Sequence, residues 1–154
     1  MTLRTLAPEA LADLLAGPQE LAILDAREEG EFALSHLFRA VSCPLSQADL
    51  IAPGMLPRPD APIVAVDAGE GHAATLAATL VRLGYTDVSL LEGGIGACSA
   101  TGFELFSGIN VPSKAFGEWV EHHFGTESID PAELHRRRTA GRPMVILDSR
   151  TFEE

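Results

Sequence analysis

The sequence predicts an α/β protein with a largely parallel sheet covered on both faces. Three observations carry this. Short, near-continuous apolar runs recur along the chain. Segments of helical pattern lie between them, and glycine-rich turns close two of the runs. Strands that read as unbroken apolar runs are those buried on both faces, as crossover helices require.

The elements follow in order. Pro8–Ala16 predicts a helix, with proline at its start and Gly17 as its stop. Leu21–Leu24 is a short apolar strand, followed by a helical stretch around Glu29–Ser35. Ala40–Cys43 predicts a second strand and Ser46–Ile51 a short helix. Ile63–Val66 is a third strand, leading through the loop Asp67–Ala73 into an alanine-rich helix, His72–Leu83. Val88–Leu91 is a fourth strand, closed by Gly93-Gly94 and a short helix to Ala100. Further on, Ser113 is expected to cap a helix ending at Gly125. On it Phe116, Trp119, Val120, His123 and Phe124 fall on one stripe, which is expected to bury between domains. His122 and His123 are adjacent, so a helix points them about 100° apart. They are read as surface and interface residues, not metal ligands.

The chain then starts over. "LAPEALADLLAGPQELAILDAREEGE" (Leu6–Glu31) aligns without a gap on "IDPAELHRRRTAGRPMVILDSRTFEE" (Ile129–Glu154), 123 positions on. Pro8 meets Pro131, Leu11 meets Leu134, and Ile23-Leu24-Asp25 meets Ile146-Leu147-Asp148. Arg27 falls on Arg150 and Glu31 on Glu154. One helix and one strand cannot close a core. The expected organisation is therefore a complete domain over 1–108, a connector over 109–127, and the truncated start of a second domain over 128–154.

Composition bounds the function. A net charge of −11 offers no broad basic surface for nucleic acid. The cluster Arg136–Arg138 reads as a solvated helix face. No run of 18 apolar residues and no secretory pattern occurs, so no membrane is expected and the default compartment is cytoplasmic. Cys43 and Cys98 lack metal-type spacing, and neither metal nor cofactor is expected.

Chemistry in such a sheet gathers beyond the carboxyl ends of its strands. Two ends stand out, Asp25-Ala26-Arg27 and the loop Asp67-Ala68-Gly69-Glu70-Gly71-His72-Ala73. In the second, loop amides and a helix N-terminus converge on one point, the build of an anion cradle. Yet an aspartate sits at its mouth.

The stretches "ILDAREEGEFALSHLFRAVSCPLS" (Ile23–Ser46), "LGYTDVSLLEGG" (Leu83–Gly94) and "GACSATG", in this order and spacing, resemble the rhodanese family. The resemblance covers nearly the whole first unit and implies a five-stranded parallel sheet flanked by helices. It also implies sulfane sulfur transfer. A loop cysteine takes sulfur from a donor such as thiosulfate or mercaptopyruvate, holds it as a persulfide, and passes it to cyanide or a thiol. Counted back from Leu83-Gly84-Tyr85, the family's cysteine position falls on Asp67. Cys98 stands where the family often carries tryptophan.

A carboxylate cannot hold sulfane sulfur. Its oxygens can instead accept the loop amides, as an internal anion and helix cap. Aspartate there resembles the non-catalytic first domain of tandem rhodaneses. The implied partners are further rhodanese-like domains of the same parent chain, with small sulfur donors and thiols acting there. The phosphatase relatives of the fold are excluded, since they need a cysteine and an arginine in this loop. Cys43 and Cys98 follow no strand into a cradle and read as core residues. Asp25 and Arg27, with Glu31 nearby, are read as a salt-bridged strand end in preference to a ligand contact at the rim, since Asp148 and Arg150 repeat the pattern. His36 is expected to hydrogen-bond the turn before the next strand. The alternative is a binding module whose Asp67 loop holds a protein partner or a cation, with Glu70 adding charge. A third reading is weak hydrolysis through Asp67 and His72.

Overall fold

The computed structural model describes residues 3–125 and 127–147. Contacts divide the chain into two units, Met1–Ala115 and Phe116–Glu154.

The first unit holds a five-stranded parallel sheet. Its strands are β1 (Arg4–Leu6), β2 (Ala22–Asp25), β4 (Ala40–Ser42), β5 (Ile63–Val66) and β6 (Val88–Leu91), in the order β1-β6-β5-β2-β4. A two-stranded antiparallel ribbon joins β3 (His36–Leu37) to β7 (Leu105–Phe106). The helices are α1 (Pro8–Ala16), α2 (Glu29–Leu34), α3 (Ala48–Met55), α4 (His72–Arg82) and α5 (Gly94–Ala100). α6 (Val111–Phe124) follows, and α7 (Pro131–Thr139) lies in the second unit.

Side-chain alternation along the strands builds two core layers. Leu24, Ile63, Ala65 and Val88 pack with α3 and α4. Ile23, Val64, Val66 and Leu91 pack with Leu11 of α1, Phe32 of α2, and Ile95 and Cys98 of α5. Every residue of β5 is buried, which explains its unbroken apolar sequence. Since all five strands run parallel, their carboxyl ends share one edge, and the Asp67 loop leaves from the centre of that edge.

Four strands follow the apolar runs of the sequence. β1 does not: its "RTL" has no apolar run, because it is an outer strand with Arg4 and Thr5 exposed. α3 begins at Ala48 and continues through Pro53 to Met55, past the expected stop at Ile51. Pro53 gives up one helical hydrogen bond without ending the helix. α6 starts at Val111, so Ser113 is not its cap. Pro112 sits in the first turn, where a missing N–H costs nothing. Its apolar stripe is not buried as expected: Phe116, Trp119 and Phe124 are exposed, with the His123 ring stacked on Trp119 at 4.9 Å. His122 and His123 are exposed.

In the second unit Asp130 caps α7, its carboxylate accepting from the amide of Glu133 at 2.6 Å. Arg136 and Arg137 both pair with Glu133, leaving a solvated basic face. The strand expected at Ile146-Leu147 is absent among the described residues; 142–147 take no regular secondary structure, and Val145, Ile146 and Leu147 are exposed. A strand needs a neighbour for its backbone groups, and none among the described residues flanks this segment. Asp148, Arg150 and Glu154, the repeat partners of Asp25, Arg27 and Glu31, lie outside the described residues. No described helix is long and apolar enough to cross a membrane.

Candidate functional site

The site is built where β5 ends. Asp67 follows Val66 and is buried, with 5% of the residue exposed. Its Oδ1 accepts from the amide of Gly69 at 2.9 Å. Its Oδ2 accepts from the amides of Gly71 and Ala73, each at 2.9 Å. Ala73 is the second residue of α4, so the carboxylate caps that helix from five residues before its start. Glu70 curls back, its Oε2 accepting from the amide of Ala68 at 2.8 Å. Gly69 (φ +108°) and Gly71 (φ +89°) supply the left-handed turns that aim the amides inward.

A second helix closes on the same residue. The backbone carbonyl of Asp67 accepts from the amide of Ile95, early in α5, at 2.8 Å. That approach needs Gly94: a Cβ there would lie 2.4 Å from the Asp67 carbonyl oxygen, at φ +61°. The sequence signals Gly93-Gly94 as a turn but not this contact. An open cavity of about 290 Å³ adjoins the loop, lined by Asp67, Gly69, Gly71, Ala73, Gly93 and Gly94 among others.

Three amides and a helix N-terminus thus surround one carboxylate. Such an environment stabilises negative charge, and here the charge is covalently part of the chain. Among the described residues the carboxylate takes backbone amides alone, and His72, exposed at the start of α4, does not bond to it. A hydrolytic Asp67–His72 pair therefore has no support in the geometry. Inward-pointing N–H groups also oppose a cation. No group of three metal-ligating side chains occurs among the described residues.

The Asp25–Arg27 pair stands at the end of β2. Asp25 is fully buried, and Arg27 grips it with two hydrogen bonds, Nε to Oδ1 at 2.9 Å and a terminal nitrogen to Oδ2 at 2.6 Å. The same guanidinium donates to the carbonyl of Ser35 at 2.7 Å, tying β2 to the end of α2. The hydrogen bonds that Arg27 donates to Asp25 raise the Arg27 pKa above its ordinary value. Glu31 is exposed on α2, and Arg27 pairs with Asp25 instead. His36 is buried, its Nδ1 on the carbonyl of Phe32 at 2.9 Å and its ring stacked on Phe32. That bond reaches back into α2, not forward to the next turn.

Both cysteines are core residues. Cys43 and Cys98 are fully buried, and burial pushes each thiol up to about 11. A thiol so shifted is almost wholly protonated at neutral pH and a poor nucleophile.

Comparison with known proteins gives this geometry its context. The model of the rhodanese-like domain matches residues 7–101. A crystal structure of thiosulfate sulfurtransferase from Pseudomonas aeruginosa matches 99% of this chain at 42% identity, with a TM-score of 0.90. This chain spans 29% of that one's length. The Alr3790 protein from Anabaena sp. matches 76% of this chain and 93% of its own at 24% identity, with a TM-score of 0.63, a likeness of fold. A rhodanese with anions from E. coli shares the fold at 17% identity and a TM-score of 0.51, over 57% of this chain and 99% of its own. No match was found among curated proteins. The α/β fold, its five parallel strands and the domain match agree: this chain belongs to the rhodanese family, a family of sulfurtransferase domains.

Proposed function

We propose that this chain is part of a tandem-rhodanese sulfurtransferase, and that its first unit is a catalytically silent member serving as scaffold or partner to an active one. In this reading 1–108 form the silent domain, 109–127 the connector, and 128–154 the start of a second rhodanese-like domain. The parent protein moves sulfane sulfur from thiosulfate or a similar donor to a thiol or cyanide. In that reaction a cysteine thiolate attacks the outer sulfur of thiosulfate, the S–S bond breaks, and sulfite leaves. The thiophile then attacks the persulfide and the thiolate returns.

The observation that carries this reading is the carboxylate of Asp67, which holds the amides of Gly69, Gly71 and Ala73. In a rhodanese fold those amides are the natural stabilisers of a thiolate or persulfide at the same point. A carboxylate there fills the cradle, carries its own charge against an anionic donor, and forms no persulfide.

Turnover assays test it directly. This chain is expected to show no thiosulfate:cyanide and no mercaptopyruvate sulfurtransferase activity. Turnover that survived Asp67→Asn but disappeared in Cys43→Ser or Cys98→Ser would overturn the reading.

A further inference from the structure

The mouth of the Asp67 loop is not guarded by bulk. Gly69 and Gly71 are exposed, and a Cβ on either would meet no atom beyond its chain neighbours within 4 Å. The adjoining cavity of about 290 Å³ is open and has room for a small oxyanion. No basic side chain lines it, and its one charged lining residue is Asp67. What the loop admits is therefore decided by charge and by which amides are free.

Two carboxylates share those amides. Asp67 holds the amides of Gly69, Gly71 and Ala73. The amide of Ala68, next to Asp67, goes to Oε2 of Glu70 at 2.8 Å. Left-handed Gly69 and Gly71 on either side let Glu70 fold back this far. Glu70 is exposed, so water replaces its bond at little cost and the fold gains little from it. What it leaves at the mouth is a full negative charge. The end of β2 lies against the same loop, with the amide of Ala26 on the carbonyl of Val66 at 2.9 Å. Beyond the hydrogen bond to Asp25, the charges of Glu70 and Glu31 raise the Arg27 pKa, so both carboxylates stand near that strand end.

We propose that Glu70 is a donor-excluding residue: it occupies the Ala68 amide and sets a second negative charge at the loop mouth, keeping small sulfur oxyanions such as thiosulfate from position 67. This rests on the reading that Asp67 stands in the nucleophile's place. Asp67 removes the nucleophile, and Glu70 removes the reception of its donor. With Asp67 alone, the Ala68 amide would be free for a sulfonate oxygen.

A cysteine placed in the loop reports the exclusion. In Asp67→Cys the thiolate attacks the outer sulfur of thiosulfate, the S–S bond breaks and sulfite leaves. With iodoacetate or iodoacetamide it forms a C–S bond and iodide leaves. Rates are compared in Asp67→Cys alone and in the same variant carrying Glu70→Ala or Glu70→Gln. Each is divided by the rate with neutral iodoacetamide, which corrects for any change in thiol ionisation. One unit charge acting through water over about 6 Å slows a dianion about 10-fold and a monoanion about 3-fold at low salt. Glu70→Ala is therefore expected to raise the thiosulfate ratio about 10-fold and the iodoacetate ratio about 3-fold. Glu70→Gln keeps an acceptor for Ala68 without the charge and is expected to give most of that gain. In about 1 M salt the gains disappear. With Asp67 in place, the Ala68 amide is expected to exchange its hydrogen at least about 10-fold more slowly than in Glu70→Ala.

Thiosulfate and iodoacetate ratios that stay the same when Glu70 is removed would overturn this inference alone. So would an Ala68 amide that exchanges equally fast with and without Glu70. Cysteine variants that alkylate as expected, yet take no sulfur from thiosulfate, would overturn the reading of position 67 and leave the exclusion of anions by Glu70 standing.

Discussion

Replacing Asp67 by alanine removes an acceptor from three amides at once. The residues bearing them differ in exposure: Ala73 is buried, whereas Gly69 and Gly71 are exposed. A buried donor left without its acceptor costs about 1–3 kcal/mol, while water takes over the two exposed amides at about 0.5 kcal/mol each. Asp67→Ala is therefore expected to destabilise the first unit by about 2–4 kcal/mol. With a urea slope of about 2 kcal/mol/M, the midpoint falls by about 1–2 M. Asp67→Asn can keep one oxygen on Gly71 and Ala73 and lose the Gly69 bond, so its cost is about 1 kcal/mol. Urea unfolding of the three proteins side by side measures both values. An Asp67→Ala chain as stable as the unaltered one would show that the carboxylate does not hold the loop. A more stable one would show that Asp67 is kept for binding at a cost to the fold.

Three further outcomes test the packing around the site. Arg27→Met leaves the fully buried Asp25 without its partner and is expected to cost about 3–5 kcal/mol, read as a lowered thermal or urea midpoint. Gly94→Ala drives a methyl group against the Asp67 carbonyl in a left-handed conformation; it is expected to lose more than about 3 kcal/mol, with the α4 and α5 amides becoming fast in hydrogen exchange. The buried thiols of Cys43 and Cys98 have folded pKa values raised from 9.0 to about 11, so the folded state holds protons that the unfolded state releases first. Stability is therefore full below pH 9 and falls between pH 9 and about 11. A Cys43→Ala, Cys98→Ala double variant is expected to flatten that fall in urea titrations across this range.

The sequence is most legible where burial is two-sided. "IVAV" and "VSLL" read as strands because both faces of β5 and β6 are covered. β1 escaped because an outer strand with exposed Arg4 and Thr5 needs no apolar run. At Ile146-Leu147 a similar apolar run forms no strand, because no strand among the described residues lies beside it. At the site, the glycines and Asp67 announce an anion cradle, and the three amide bonds follow from that local pattern. Contacts made across the fold leave weaker traces. Nothing near Arg27 signals the carbonyl of Ser35, and Gly93-Gly94 reads as a turn while its tightest contact is to Asp67, 27 residues earlier.

The silence of this unit is tested most directly by intact-mass spectrometry after exposure to thiosulfate, without reductant. The unaltered chain is expected to keep its own mass, and Asp67→Cys to gain one sulfur atom that cyanide removes. A sulfur atom on Cys43 or Cys98 of the unaltered chain would contradict the assignment of Asp67 as the residue that replaces the nucleophile.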